Sequence, residues 1–243
     1  MILYYPYLGY KTECMQVPVA FPAQHQPMQP GFEYIMFPRP IFDDPDYLGT
    51  DKLKGKAALI TGGDSGIGRA VAVAFAKEGA DIAIAYYNEY ADAGETKAYI
   101  EALGRRCVLL SGDLREEAFC RKIVEDTVRL FGRLDILVNN AGVQFPQCSL
   151  EDITAEQLED TFRVNVFSFF HVTRAALPYL KRGSTIINTT SINAYRGNEL
   201  LIDYSATKGA VVSFTRSMAR SLVLKGIRVN GVGKAYDSAL CCR

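Results

Sequence analysis

Tyr204 and Lys208 stand four residues apart in Tyr204-Ser205-Ala206-Thr207-Lys208. The apolar spacing around them predicts a helix over 204–224, so the two side chains share one face. A free tyrosine titrates near 10 and is almost wholly protonated at neutral pH. An adjacent ammonium favours the phenolate, and a fall to roughly 7–8 would suit Tyr204 to general acid–base work. Such a pair is common on helices, and a serine after a strand, such as Ser191, is an ordinary turn residue. Asn165, inside another helical stretch, is equally mute alone. Their weight comes from occurring together, in order, on elements that can bring them together.

A second group could hold a phosphate. Thr61-Gly62-Gly63-Asp64-Ser65-Gly66-Ile67-Gly68 lies between an apolar run, Ala57-Ala58-Leu59-Ile60, and a helical pattern carried by Ile67, Ala70, Val71, Ala74 and Phe75. Gly62 permits a tight turn, a missing Cβ at Gly66 lets the backbone approach a pyrophosphate, and Gly68 lets helix and strand pack closely. The N–H groups and dipole of the helix's first turn favour the phosphate charge. The spacing Gly-x-x-x-Gly-x-Gly differs from Gly-x-Gly-x-x-Gly and lacks the Gly-Lys-Ser/Thr ending of a P-loop. A dinucleotide is the expected ligand.

Positioning these groups requires the rest of the chain. Further apolar runs at 82–85, 107–110, 136–138, 185–187 and 228–230 read as strands. Helical patterns at 91–103, from about 115 to 131, and at 158–180 and 204–224 alternate with them. That rhythm predicts an α/β Rossmann-type fold: a doubly wound parallel sheet of six strands in the order 3-2-1-4-5-6. Eight of the ten prolines fall in the first 45 residues, so residues 1–50 read as an extended arm. Its Tyr34, Phe37, Phe42 and Tyr47 suggest that part of it lies against a surface. Residues 51–232 form the dinucleotide-binding domain and 233–243 an atypical end.

Asn139-Asn140-Ala141-Gly142 after the fourth strand, with Asn165, Ser191, the Tyr-x-x-x-Lys pair and the Thr61 glycine loop, resembles the short-chain dehydrogenase/reductase superfamily. The arm, with Gln29-Pro30-Gly31 and Met36-Phe37-Pro38-Arg39-Pro40, is similar to a glucose- and ribitol-dehydrogenase-like, stress-related subgroup. The resemblance implies hydride transfer between a nicotinamide and an alcohol or carbonyl, with a sugar or polyol as the substrate class of the subgroup, and Tyr204 moving the proton. It implies that Lys208 also binds the nicotinamide ribose, Ser191 orients the substrate and Asn165 supports a water-linked proton relay. Cofactor contacts are implied for Thr61, Gly62, Ser65, Gly66, Ile67, Gly68, Tyr86, Asp113, Leu114, Asn140, Ala141, Gly142, Tyr204 and Lys208. The second strand ends in Tyr86, then Tyr87 and Asn88, where NAD-selective members carry an acid. An arginine selective for NADP is missing there too, and Ser65, not a basic residue, precedes Gly66. The balance leans slightly to NADP over NAD. Asp113 would contact adenine or cap the helix beginning near Arg115.

The 27 basic and 27 acidic residues cancel and are interspersed, implying neither nucleic acid nor an anionic membrane as partner. Six cysteines form no C-x-x-C pair and only two histidines are present, so no metal site is expected. A reducing cytoplasm is the default; Met1–Tyr10 does not read as a signal peptide, and no run of 18 apolar residues would span a membrane. After Val232 the family continues Ala-Pro-Gly, whereas this chain reads Gly233-Lys234-Ala235. The expectation is a truncated end lacking the seventh strand and substrate loop, and an uncovered sheet edge. Pairing through the helices bearing Asn165 and Tyr204 would give a dimer. The rival reading is an impaired chain that still binds dinucleotide or pairs with full-length subunits. A nucleotide-sugar epimerase-type enzyme fits less well, for want of a C-terminal substrate domain.

Overall fold

Ala57, Ala58, Leu59 and Ile60 are all buried, and strands without a polar face belong inside a parallel sheet covered on both sides. The computed structural model describes residue 24 and residues 26–234. In it these residues open β1 (Ala57–Thr61), which pairs with β2 (Asp81–Tyr86) and β4 (Ile136–Asn139). With β3 (Cys107–Ser111), β5 (Thr185–Ser191) and β6 (Arg228–Lys234), the sheet is parallel in the order β3-β2-β1-β4-β5-β6. This is the fold class and strand order expected from the sequence.

Alternate strand residues feed two cores. Leu59, Leu137 and Ile186 pack with Ile123 of α3 (Glu117–Phe131), Val172 of α5 (Ser168–Ala176) and Leu222 of α7 (Ile202–Leu222). Ile60, Ile82 and Ile84 pack on the other face with Val73 of α1 (Gly66–Lys77) and Ile100 of α2 (Tyr90–Ala102). Among the described residues β6 is an outer strand, with Val232 57% exposed.

The helix expected over 158–180 is not continuous. Thr154 caps α4 (Ala155–Phe162), accepting a hydrogen bond from Gln157 N–H. A π-helical turn, Arg163–Phe167, then joins α4 to α5. Such turns insert one residue and re-aim the side chains around it, and Asn165 lies at the centre of this one. The helix expected from Arg115 starts instead at Glu117. The Asp113 carboxylate takes the Arg115 N–H (2.9 Å) in a local turn, so Asp113 does not cap the helix.

The described part of the arm lies on the domain. Phe42 packs against the core beneath α1 and α2, and the Tyr47 hydroxyl donates to Glu78. Phe37 remains 81% exposed. A buried anchor is Glu33, whose carboxylate pairs with Arg69 of α1 at 2.6 Å. Residues 1–23 and 25, and 235–243 of the atypical end, lie outside the described residues. Among the described residues no helix is long and apolar enough to cross a membrane, and no cluster of acids, cysteines and histidines could hold a metal.

Candidate active site

The glycine loop is shaped by what surrounds it. A Cβ on Gly68 would lie 1.7 Å from the Gly62 carbonyl oxygen, so α1 can back onto the loop only with glycine there. Gly62 takes a left-handed φ of +61°, and its Cβ would meet Ala141 Cα at 3.1 Å. Gly66, by contrast, faces open space. The Thr61 hydroxyl accepts the N–H groups of Asn140 (2.9 Å) and Ala141 (3.1 Å). Asn140 in turn donates to the Gly62 carbonyl (3.0 Å) and accepts from the Thr189 hydroxyl (3.1 Å). These bonds tie the ends of β1, β4 and β5 into one rim.

Tyr204 enters from α7 and is 2% exposed, with no hydrogen-bond partner for its hydroxyl among the described residues. Lys208 lies one turn on, fully buried. Its Nζ donates to the Thr189 carbonyl (3.0 Å) and sits 5.5 Å from the centre of the Tyr204 ring. The expected phenolate does not follow. Burial pushes the Tyr204 phenol up, opposed by the nearby Ser191 hydroxyl. Burial, helped by the Lys234 ammonium, pushes Lys208 down to about 7. Desolvation disfavours both charged forms, and the ammonium is directed at a carbonyl.

Ser191 is buried at the end of β5, its hydroxyl accepting the Asn193 N–H (3.2 Å) at the start of α6 (Asn193–Arg196). The Asn165 amide is committed elsewhere: its Oδ1 accepts the Val143 N–H (2.8 Å), and its Nδ2 donates to the Val143 carbonyl (2.8 Å) and Thr207 hydroxyl (3.2 Å). It fastens the loop after β4 to α7. Gly142 must stay bare beside it, since a Cβ there would stand 3.1 Å from Asn165 Oδ1 and 3.5 Å from Lys208 Nζ.

One cleft of about 420 Å³ joins the two groups, a volume in the range of cofactor sites. It is lined by Gly62, Ser65, Gly66, Ile67, Tyr86, Asp113, Leu114, Asn140, Ala141, Gly142, Tyr204 and Lys208. Of the residues singled out in the sequence, Thr61, Gly68, Asn165 and Ser191 are not in its lining.

Several other lining residues carry no signal in the sequence. Lys234, from the atypical end, reaches in with Nζ 5.8 Å from the centre of the Tyr204 ring. At the far end Arg115 pairs with Asp113 (2.7 Å) and Asp160 (2.7 Å) and lies over the Tyr87 ring. Burial works against the Asp113 charge, yet hydrogen bonds from Arg115 hold its carboxyl below the ordinary value. The Glu89 carboxylate turns inward onto the N–H groups of Tyr87 (3.1 Å) and Asn88 (3.0 Å). Burial and Glu89 together push Asp64 up to about 6. An open Gly66, a glycine loop at the start of α1 and an unpartnered buried phenol in one cleft fit an elongated, phosphate-bearing ligand.

Comparison with known proteins agrees with this geometry. The family model for short chain dehydrogenase matches residues 56–236. General stress protein 39 of Bacillus subtilis is 61% identical over 215 residues, 88% of this chain and 75% of that protein. The NADPH-dependent aldehyde reductase 1 of Arabidopsis thaliana is 49% identical (86% and 75%). The glucose and ribitol dehydrogenase of Daucus carota is 48% identical (87% and 75%). A short chain dehydrogenase from Burkholderia cenocepacia in complex with NADP superposes with a TM-score of 0.74 at 38% identity, covering 78% of this chain and 81% of the other. One from Mycobacterium paratuberculosis bound to NAD gives 0.71 at 38% (75% and 72%). A chain with this sheet, this glycine loop and this match belongs to the short chain dehydrogenase family of NAD(P)-dependent oxidoreductases.

Proposed function

We propose that the protein interconverts an alcohol and a carbonyl, of a sugar, polyol or aldehyde, with Tyr204 as the proton donor and acceptor. The observation that carries this reading is the buried, unpartnered Tyr204 hydroxyl in the same cleft as the glycine loop. A bound nicotinamide dinucleotide supplies the hydride. Ser191 orients the substrate oxygen toward Tyr204, and Lys208 bonds the cofactor's ribose. Asn165 acts as a positioning residue, holding Val143 and Thr207 in place. Tyr204 is kept as the neutral phenol, which suits it to deliver a proton as a carbonyl is reduced.

NADP is the preferred cofactor in this reading. β2 ends in Tyr86 rather than an acid, Glu89 beyond it spends its carboxylate on the backbone, and Arg115 supplies a cation at that end of the cleft. The aldehyde reductase named for NADPH supports the same choice, while a neighbour bound to NAD sets the alternative. We further assign a dimer through the helices bearing Asn165 and Tyr204, and a cytoplasmic setting consistent with the buried free thiols of Cys107 and Cys120.

Titration of the purified chain with NADPH and NADH, followed by turnover on sugars, polyols and aldehydes, tests the reading. Binding of both, tighter for NADPH, with oxidation of NADPH by a carbonyl substrate is expected. Binding without turnover would favour the impaired-chain alternative.

A further inference from the structure

The glycine loop has a partner outside the sheet and its helices. Glu33, on the arm, is 3% exposed, and its Oε2 accepts the Gly66 N–H at 2.5 Å. Its Oε1 accepts from Arg69 Nη1 at 2.6 Å, and Arg69 is itself 1% exposed. The Glu33 N–H goes to Asp92 Oδ2 on α2 (2.8 Å). A carboxylate thus occupies the start of α1, where the helix dipole favours it, and a cation from the same helix balances it. One N–H of the loop is thereby taken by the arm, and Gly66 is fixed in its left-handed conformation (φ +51°).

The arm does more than anchor. The Gln26 side chain accepts the Phe32 N–H (2.7 Å) and donates to the Phe32 carbonyl (2.8 Å), closing residues 26–32 into a loop. That loop sets Gln29 and Pro30 in the lining of the cleft, in company with Ser65, Gly66 and Tyr87. Because the arm is pinned to α1 and α2, it lies on the β1–β2 side of the sheet, away from Tyr204 and Lys208 on α7.

We propose that the arm is a working wall of the dinucleotide site: Glu33 positions the glycine loop, and Gln29 and Pro30 cover the adenosine-diphosphate half of the ligand. The inference rests on the reading of the cleft as a dinucleotide site. A wall held in place before the ligand arrives lowers the ordering cost of binding. Pro30 offers an apolar ring and Gln29 an amide able to donate or accept along the ligand's edge. Glu33 touches no ligand; it acts through Gly66.

The test is calorimetric titration of the full chain with ADP-ribose, and separately with reduced nicotinamide mononucleotide, which lacks the adenosine half. In the double variant Gln29→Ala/Pro30→Gly the ADP-ribose Kd should rise about five- to tenfold, with the mononucleotide Kd within about twofold of wild type. The melting temperature without ligand should not move. Glu33→Ala should lower the melting temperature and weaken ADP-ribose. Glu33→Gln, which keeps an acceptor for Gly66, should recover much of the affinity. Equal ADP-ribose affinity in wild type and the double variant would overturn the inference while leaving the cleft's assignment standing. Equal weakening of both ligands would overturn it too, as the mark of a merely structural arm. Failure of wild type to bind either ligand would overturn the assignment itself, and the inference with it.

Discussion

The Tyr204 hydroxyl and the Lys208 ammonium share a helix face, but they do not share a hydrogen bond, and the consequences can be measured. Tyr204→Phe removes only the oxygen that moves the proton. Carbonyl reduction should fall by at least about a hundredfold, with the dinucleotide Kd within about twofold of wild type in a fluorescence titration. Because burial holds the phenol above its ordinary value, alcohol oxidation, which needs the phenolate, should keep rising toward alkaline pH while reduction stays level through neutrality. Lys208 makes a stability prediction. Its folded value is pushed down to about 7 from the usual 10.5, so between those limits the unfolded chain binds the proton more readily than the folded one. Without cofactor, stability should therefore climb as pH rises from about 7 toward 10, and that gain is fully lost once pH has fallen to about 7. Lys208→Met should flatten that slope in thermal melts. Both residues were legible as a pair from their spacing of four. The direction of their pKa changes was not, because it depends on burial and, less, on Ser191 and Lys234, residues on other elements.

At the scale of elements, the strands and the glycine loop could be read because their signals are local: a continuous apolar run, then glycines where a Cβ cannot fit. Gly68→Ala tests the tightest of these positions. With its Cβ 1.7 Å from the Gly62 carbonyl, α1 must shift off the loop. The expected cost is about 1–3 kcal/mol in denaturant unfolding, together with weakened dinucleotide binding. What the sequence could not disclose are the features made by two distant side chains. The π-helical turn at Arg163–Phe167 interrupts a pattern that reads as one helix, and the pair of hydrogen bonds exchanged there between Asn165 and Val143 spans 22 residues. Glu33 and Arg69 look like ordinary surface charges until the fold buries them together.

Across the whole molecule, the helices bearing Asn165 and Tyr204 present Phe167 and Phe170 about half exposed beside the buried Phe214, a surface suited to pairing two copies. If that face forms the dimer, Phe167→Asp should shift the sedimentation coefficient from dimer to monomer. The atypical end also enters the account, because Lys234 stands in the cleft beside Tyr204. The central claim is that one cleft both holds a nicotinamide dinucleotide and uses Tyr204 to move the substrate's proton. The most direct test is to follow NADPH absorbance with an aldehyde or sugar substrate, comparing wild type with Tyr204→Phe after showing that both bind NADPH. Equal binding by the two proteins and turnover only in wild type are expected. Equal turnover in the two proteins, or no dinucleotide binding by wild type, would contradict the claim.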